Sequence, residues 1–83
     1  MEQRIRQILT QYGRLSVPAE GLGVEANLYE VGLSSLATVN VMLAIEEAFD
    51  VEFPDHLLTR RSFESIASLE NVVTTLKPGA LNS

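Results

Sequence analysis

Residues 32–36 read Gly-Leu-Ser-Ser-Leu, and the two adjacent hydroxyls, Ser34 and Ser35, are the first groups in the chain with any claim to chemistry. Neither has support as an enzyme nucleophile. There is no Gly-x-Ser-x-Gly elbow, and the lone histidine, His56, is a distant candidate base. A long helical pattern starts at these serines, so one of them can accept a hydrogen bond from the free N–H groups of the first turn. The same N-terminus suits an anion, because its unpaired N–H groups and the positive end of the helix dipole favour a phosphate. A phosphoester on Ser35 is compatible with that position, although the residues by themselves do not demand it.

Other chemistries lack their residues. The chain has no cysteine, so it has neither a disulfide nor a thiolate metal site, and one histidine does not make a His-rich one. No catalytic set and no metal-ligand set is expected. The net charge of −5 argues against nucleic acid, which needs a basic footprint. No apolar run approaches the ~20 residues of a membrane span, and the first ten residues lack the apolar core of a signal peptide. A cytoplasmic setting without membrane contact is therefore expected. The 83 residues, 46% of them hydrophobic, suit one small folded domain.

Three segments carry helical periodicity and position the serines. Ile5, Ile8, Leu9 and Tyr12 share one face of a helix over 2–12 that Gly13 stops. Residues 35–49 form the longest helix. Residues 65–76 place Ile66, Leu69, Val72, Val73 and Leu76 on one face, with Pro78 and Gly79 as the stop and 79–83 as a frayed tail. Between the last two, Pro54 breaks the chain, Asp55 is a candidate cap, and 56–61 fits a short helix. Residues 13–34 hold three glycines besides Gly13 and apolar residues without a period. They form a long loop packed on the core, with an irregular helical piece near 27–31 as the alternative there. The expected fold is all-α: four helices, with a long first loop and a short third helix.

Projected at about 100° per residue, the helix over 35–49 buries Ala37, Val41, Ala44, Ile45 and Ala48. Leu36 and Leu43 fall among Asn40, Glu46, Glu47 and Asp50 on the opposite side. Two leucines one ridge apart inside an acidic stripe mark a docking patch for a partner with an apolar dimple and basic residues.

The stretch "LYEVGLSSLATVNVMLAIEEAFDVEFPD", residues 28–55, resembles the acyl carrier protein family. That family ends its first loop in Gly-x-Asp-Ser-Leu, carries a Glu pair late in the next helix, and then continues Phe-x-Ile-x-Ile-Pro-Asp. Gly32, Ser35, Leu36, Glu46, Glu47, Phe49, Pro54 and Asp55 fall on those positions, and the flanking segments fit the family's other helices. The resemblance implies one carrier domain over 1–83, a monomeric four-helix bundle that is not an enzyme. It implies covalent 4′-phosphopantetheine on Ser35 and a partner face containing Leu36, Asn40, Leu43 and Glu47.

Departures from the family narrow the expectation. Ser34 replaces the usual Asp, which helps the phosphopantetheinyl transferase hold Mg²⁺, and Asn40 stands where Glu is common. Arg60 and Arg61 add positive charge beside the recognition face and extend the expected partner surface. The pattern looks most like carriers loaded by seryl-tRNA-synthetase-like amino acid:[carrier protein] ligases, which activate glycine or alanine with ATP. The implied partners are the transferase, such a ligase or another acyl-loading enzyme, and a downstream acceptor. A discrete acyl carrier for a specialised fatty-acid or polyketide pathway and an unmodified helical binding domain are the competing readings.

Overall fold

Ile5, Ile8 and Leu9 are buried along one side of α1 (Glu2–Tyr12). The helix closes where the Gly13 N–H donates to Leu9 O at 2.8 Å. A Cβ on Gly13 would lie 2.7 Å from that carbonyl oxygen, so the approach requires glycine even though its φ is an ordinary −76°. The left-handed residue is the next one, Arg14. In a computed structural model, residues 1–77 are described. Two further α-helices follow, α2 (Ser35–Phe49) and α3 (Ile66–Leu76), with 3-10 turns at Ala19–Gly21, Asp55–Leu57 and Arg60–Phe63. The expected helix stop at Pro78 and Gly79 and the frayed tail 79–83 lie outside the described residues.

The expected four-helix bundle is corrected: the described residues form three α-helices and no strand. The short third helix expected over 56–61 is two separate 3-10 turns. Leu58 (φ −83°, ψ 65°) and Thr59 (φ −124°, ψ 158°) leave helical geometry between them. The Thr59 hydroxyl accepts from Ser62 N at 3.3 Å and starts the second turn afresh, a local bond that competes with a continuous helix. Asp55 does not cap by its side chain; it is the first residue inside the turn that Pro54 opens.

The three helices enclose Ile5, Leu9, Val41, Ile45, Ile66, Leu69 and Val73, and the long loop adds Leu28, Leu33 and Ala19 to the same core. Its backbone is tied at several points. Leu28 N donates to Glu64 O at 2.7 Å, and Ala67 N donates to Val24 O at 2.9 Å. Arg6, itself buried, donates through Nη1 to Ala19 O and Leu22 O at 2.6 and 2.7 Å, while its Nε meets Glu2 at 2.9 Å. A buried guanidinium satisfied in this way replaces the missing regular secondary structure as a partner for the loop's carbonyls. Residues 27–31 are turns rather than helix: the Asn27 side chain accepts from Tyr29 N and Glu30 N.

The C-terminus of α2 also has defined partners. Asp50 takes the left-handed conformation (φ 55°), and Val51 N returns to Glu46 O at 3.1 Å. Lys77 Nζ donates to Phe49 O at 3.0 Å, setting a cation against the negative helix end. The Glu46 carboxylate accepts from Phe53 N at 2.8 Å, and the Phe53 and Phe63 rings stack with centroids 5.3 Å apart. These contacts tie residues 50–53 to the last turns of α2 and, through the phenylalanine pair, to the Arg60–Phe63 turn.

Candidate functional site

The structure assigns the two hydroxyls different positions. Ser34 is the N-cap of α2: its backbone is extended and its Oγ accepts from Ala37 N at 3.1 Å. Its carbonyl oxygen accepts from both Thr38 N and Thr38 Oγ1. Ser35 is the first residue of the helix, exposed, and its hydroxyl has no hydrogen-bond partner among the described residues. An uncommitted hydroxyl stands at the positive end of a helix of 15 residues, where the first N–H groups have no intrahelical partner.

Ser35 lies on the rim of a groove of about 410 Å³ between α2 and the 58–63 segment. Thr38, Val39 and Met42 form one wall; Leu58, Thr59, Arg60 and Phe63 form the other, with Tyr29 at the end. The Arg60 guanidinium carbon sits 3.8 Å from the Tyr29 ring centroid, and the Tyr29 hydroxyl donates to Arg60 O at 2.7 Å. Two residues 31 apart thereby form one clasp.

Burial raises the Tyr29 phenol above its usual 10.0; the Arg60 charge opposes the shift and Glu64 adds to it. A raised folded value favours the protonated phenol. Its contribution is fully present below the unfolded value and is lost as pH rises through the folded one. Stability should therefore fall above about pH 10. Tyr29→Phe should show a shallower alkaline decline in unfolding free energy than wild type, with Tyr12 common to both; equal slopes would contradict the assignment.

Leu36, Asn40, Leu43 and Glu47 are all exposed along one side of α2, as the helical projection expected. Leu36 is 75% and Leu43 53% exposed, against 0% for Val41 and Ile45 on the other side, so the leucines are solvated and not core. The two arginines do not act together. Arg60 faces the groove that Ser35 borders, whereas Arg61 lines a separate depression with Leu57, Ser68, Asn71 and Val72. Glu47 borders a third hollow, of about 530 Å³, with Arg4, Gln7 and Gln11 of α1. His56 is exposed on the Asp55–Leu57 turn, and no group of three or more metal-capable side chains occurs among the described residues.

Sequence reasoning passed over Val39, Leu58 and Tyr29. Val39 and Leu58 are exposed apolar residues that extend the patch from Leu36 and Leu43 into the groove. Val39 was legible, since it stands three residues after Leu36 and four before Leu43 on the same helix. The Tyr29–Arg60 clasp spans two irregular segments and leaves no periodic signal.

Residues 3–75 match the family model described as "Phosphopantetheine attachment site". The chain is 51% identical over 79 residues to the aminoacyl carrier protein of Agrobacterium fabrum, a match covering 95% of both chains. It superposes with a TM-score of 0.87, at 53% identity, on a chain of a crystal structure of engineered Bradyrhizobium japonicum glycine:[carrier protein] ligase complexed with carrier protein from Agrobacterium tumefaciens and AMP. That match covers 89% of this chain and 99% of the other. A second solved complex, of the Bradyrhizobium japonicum ligase with glycylated carrier protein, contains a chain matched at 30% identity with a TM-score of 0.74, covering 86% and 95%.

Proposed function

The chain belongs to the phosphopantetheine attachment-site family, and from that premise we propose that it is an aminoacyl carrier protein whose arm is held by Ser35. The observation that carries the reading is the division of labour at the start of α2. Ser34 is spent on the cap, and Ser35 offers an exposed, unpaired hydroxyl at an anion-favouring helix end. That environment fits a phosphodiester, and the neighbouring groove leaves room for the chain beyond it. The covalent 4′-phosphopantetheine supplies the thiol that a protein without cysteine lacks.

The protein's own residues supply address. Leu36, Asn40, Leu43 and Glu47 present apolar contact edged by polar groups, with Arg60 contributing positive charge in the adjoining groove and Arg61 contributing it from a separate surface. The chain itself catalyses nothing in this reading; it is a single domain, acts as a monomer in the cytoplasm, and meets three enzymes in turn. These are a phosphopantetheinyl transferase, an amino acid:[carrier protein] ligase of the kind complexed with its relatives, and an acceptor of the amino acid. No helix among the described residues is long and apolar enough to cross a membrane.

Offered ATP and either glycine or alanine with such a ligase, or a fatty acid with an acyl-activating enzyme, the arm-bearing protein should be charged with the amino acid at the higher rate. Charging by the acyl enzyme alone would return it to the lipid or polyketide carriers. Leu43→Ala should raise the ligase KM about 5- to 30-fold with the melting temperature unchanged, the range for truncating an anchor worth ~1–2 kcal/mol at an interface. An unaltered KM would remove Leu43 from the docking face.

A further inference from the structure

The groove beside Ser35 contains a cation whose position is fixed and whose donors are unused. The Arg60 guanidinium carbon stands 3.8 Å over the Tyr29 ring centroid, and the residue's own carbonyl is held by the Tyr29 hydroxyl, so both ends of the residue meet one tyrosine. The guanidinium makes no hydrogen bond and no ion pair among the described residues; the ion pair found there joins Arg6 to Glu2. An arginine confined by an aromatic platform has already lost much of its rotational freedom, so less entropy is lost when its N–H groups take a ligand. The rest of the groove is mainly apolar, with Val39, Met42, Leu58 and Phe63 beside the hydroxyl residues Ser35, Thr38 and Thr59.

We propose that Arg60, held by Tyr29, binds the phosphodiester of the arm on Ser35 and lays the adjoining branched, apolar part of the arm into the Val39–Met42–Leu58 groove. Charge and shape both select this occupant. The phosphodiester is the anion that must lie at Ser35, a member of the same groove lining as Arg60, and planar guanidinium donors match phosphate oxygens. The geminal methyl groups of the pantoyl unit are the apolar groups nearest that phosphate. They would meet Val39 and Leu58, whose side chains are otherwise about half exposed. Arg60 is thus a positioning residue for the arm, while Arg61, on a different surface, stays available to partners.

The proposal rests on Ser35 as the attachment point, and the experiment separates the two. Intact mass and peptide mapping first establish that wild type, Arg60→Gln and Arg60→Lys each carry the arm on Ser35; an arm attached elsewhere overturns both readings. Amide and methyl NMR spectra of the unmodified and arm-bearing forms are then compared. Wild type should show shifts on modification at Tyr29, Val39, Met42, Leu58 and Arg60, and nuclear Overhauser contacts from the geminal methyls to Val39 and Leu58. Arg60→Gln should keep a folded spectrum and lower the docked-to-free ratio of the arm roughly tenfold, the size of one charge-assisted hydrogen bond. Arg60→Lys, which keeps the charge but loses the planar, forked guanidinium donors, should fall between. Tyr29→Leu, which removes the platform and leaves Arg60 in place, should reproduce the loss. Shifts confined to Ser35 and its immediate neighbours in wild type, or docking unchanged in Arg60→Gln, overturn the proposal and leave Ser35 as the attachment point intact.

Discussion

Ser35→Ala should emerge from incubation with a phosphopantetheinyl transferase and coenzyme A at its starting mass, whereas Ser34→Ala should gain the full mass of the arm. The contrast follows from the two positions. Ser35 presents its Oγ to solvent, and replacing it removes the only atom there on which a phosphodiester can form. Ser34 has its Oγ engaged with Ala37 N, so its replacement costs a helix cap, about 0.5–2 kcal/mol. For a domain of this size that loss lowers the melting temperature by roughly 4–8 °C per kcal/mol. Ser34→Ala should therefore be less stable and still modified, while Ser35→Ala should melt close to wild type and stay unmodified. Attachment in Ser35→Ala but not in Ser34→Ala would reverse the assignment.

Leu28→Ala should remove a large part of the folding free energy, although Leu28 belongs to no helix. Its side chain is fully buried, and its N–H donates to Glu64 O, so it joins the long loop to the segment leading into α3. Truncating a buried leucine typically costs ~2–5 kcal/mol through lost transfer energy and an unfilled cavity. Small domains sit at the low end of the ~5–15 kcal/mol range of total stability, so this one change approaches the whole of it. Leu36→Ala serves as the control, because an exposed leucine changes stability by only about 0.5 kcal/mol. Urea unfolding of the two variants should show a large fall in midpoint for Leu28→Ala and little change for Leu36→Ala. Equal midpoints would mean that the loop is not part of the cooperative core.

The helices and the loop differ in how much of them the amino acids disclose. The periods of Ile5, Ile8 and Leu9 and of Ala37, Val41 and Ile45 report two buried faces directly. The limits of α1 and α2 follow from Gly13, the two serines and the break before Pro54. The 56–61 segment misleads because Leu57, Leu58 and the arginines have good helical propensity. Its interruption comes from one threonine hydroxyl that prefers the Ser62 N–H to a helical turn. Arg6 looks like a solvated residue on α1, yet it is buried because three loop and helix acceptors surround it in space. The exposed stripe of Leu36, Asn40, Leu43 and Glu47 was readable from helical geometry alone. The groove was not, because Tyr29, Leu58 and Arg60 come from segments without a period.

Sequential mass measurement on the wild-type protein tests the central claim most directly. The protein is treated with transferase and coenzyme A, then with an amino acid:[carrier protein] ligase, ATP and glycine or alanine, and finally with neutral hydroxylamine. Peptide mapping follows each step. The predicted result is a first gain equal to the arm and a second equal to one amino-acid residue, both on the peptide containing Ser35. Hydroxylamine should release only the second, as a thioester requires. An amino acid acquired without the arm, or an arm carried by a peptide that lacks Ser35, would contradict the account.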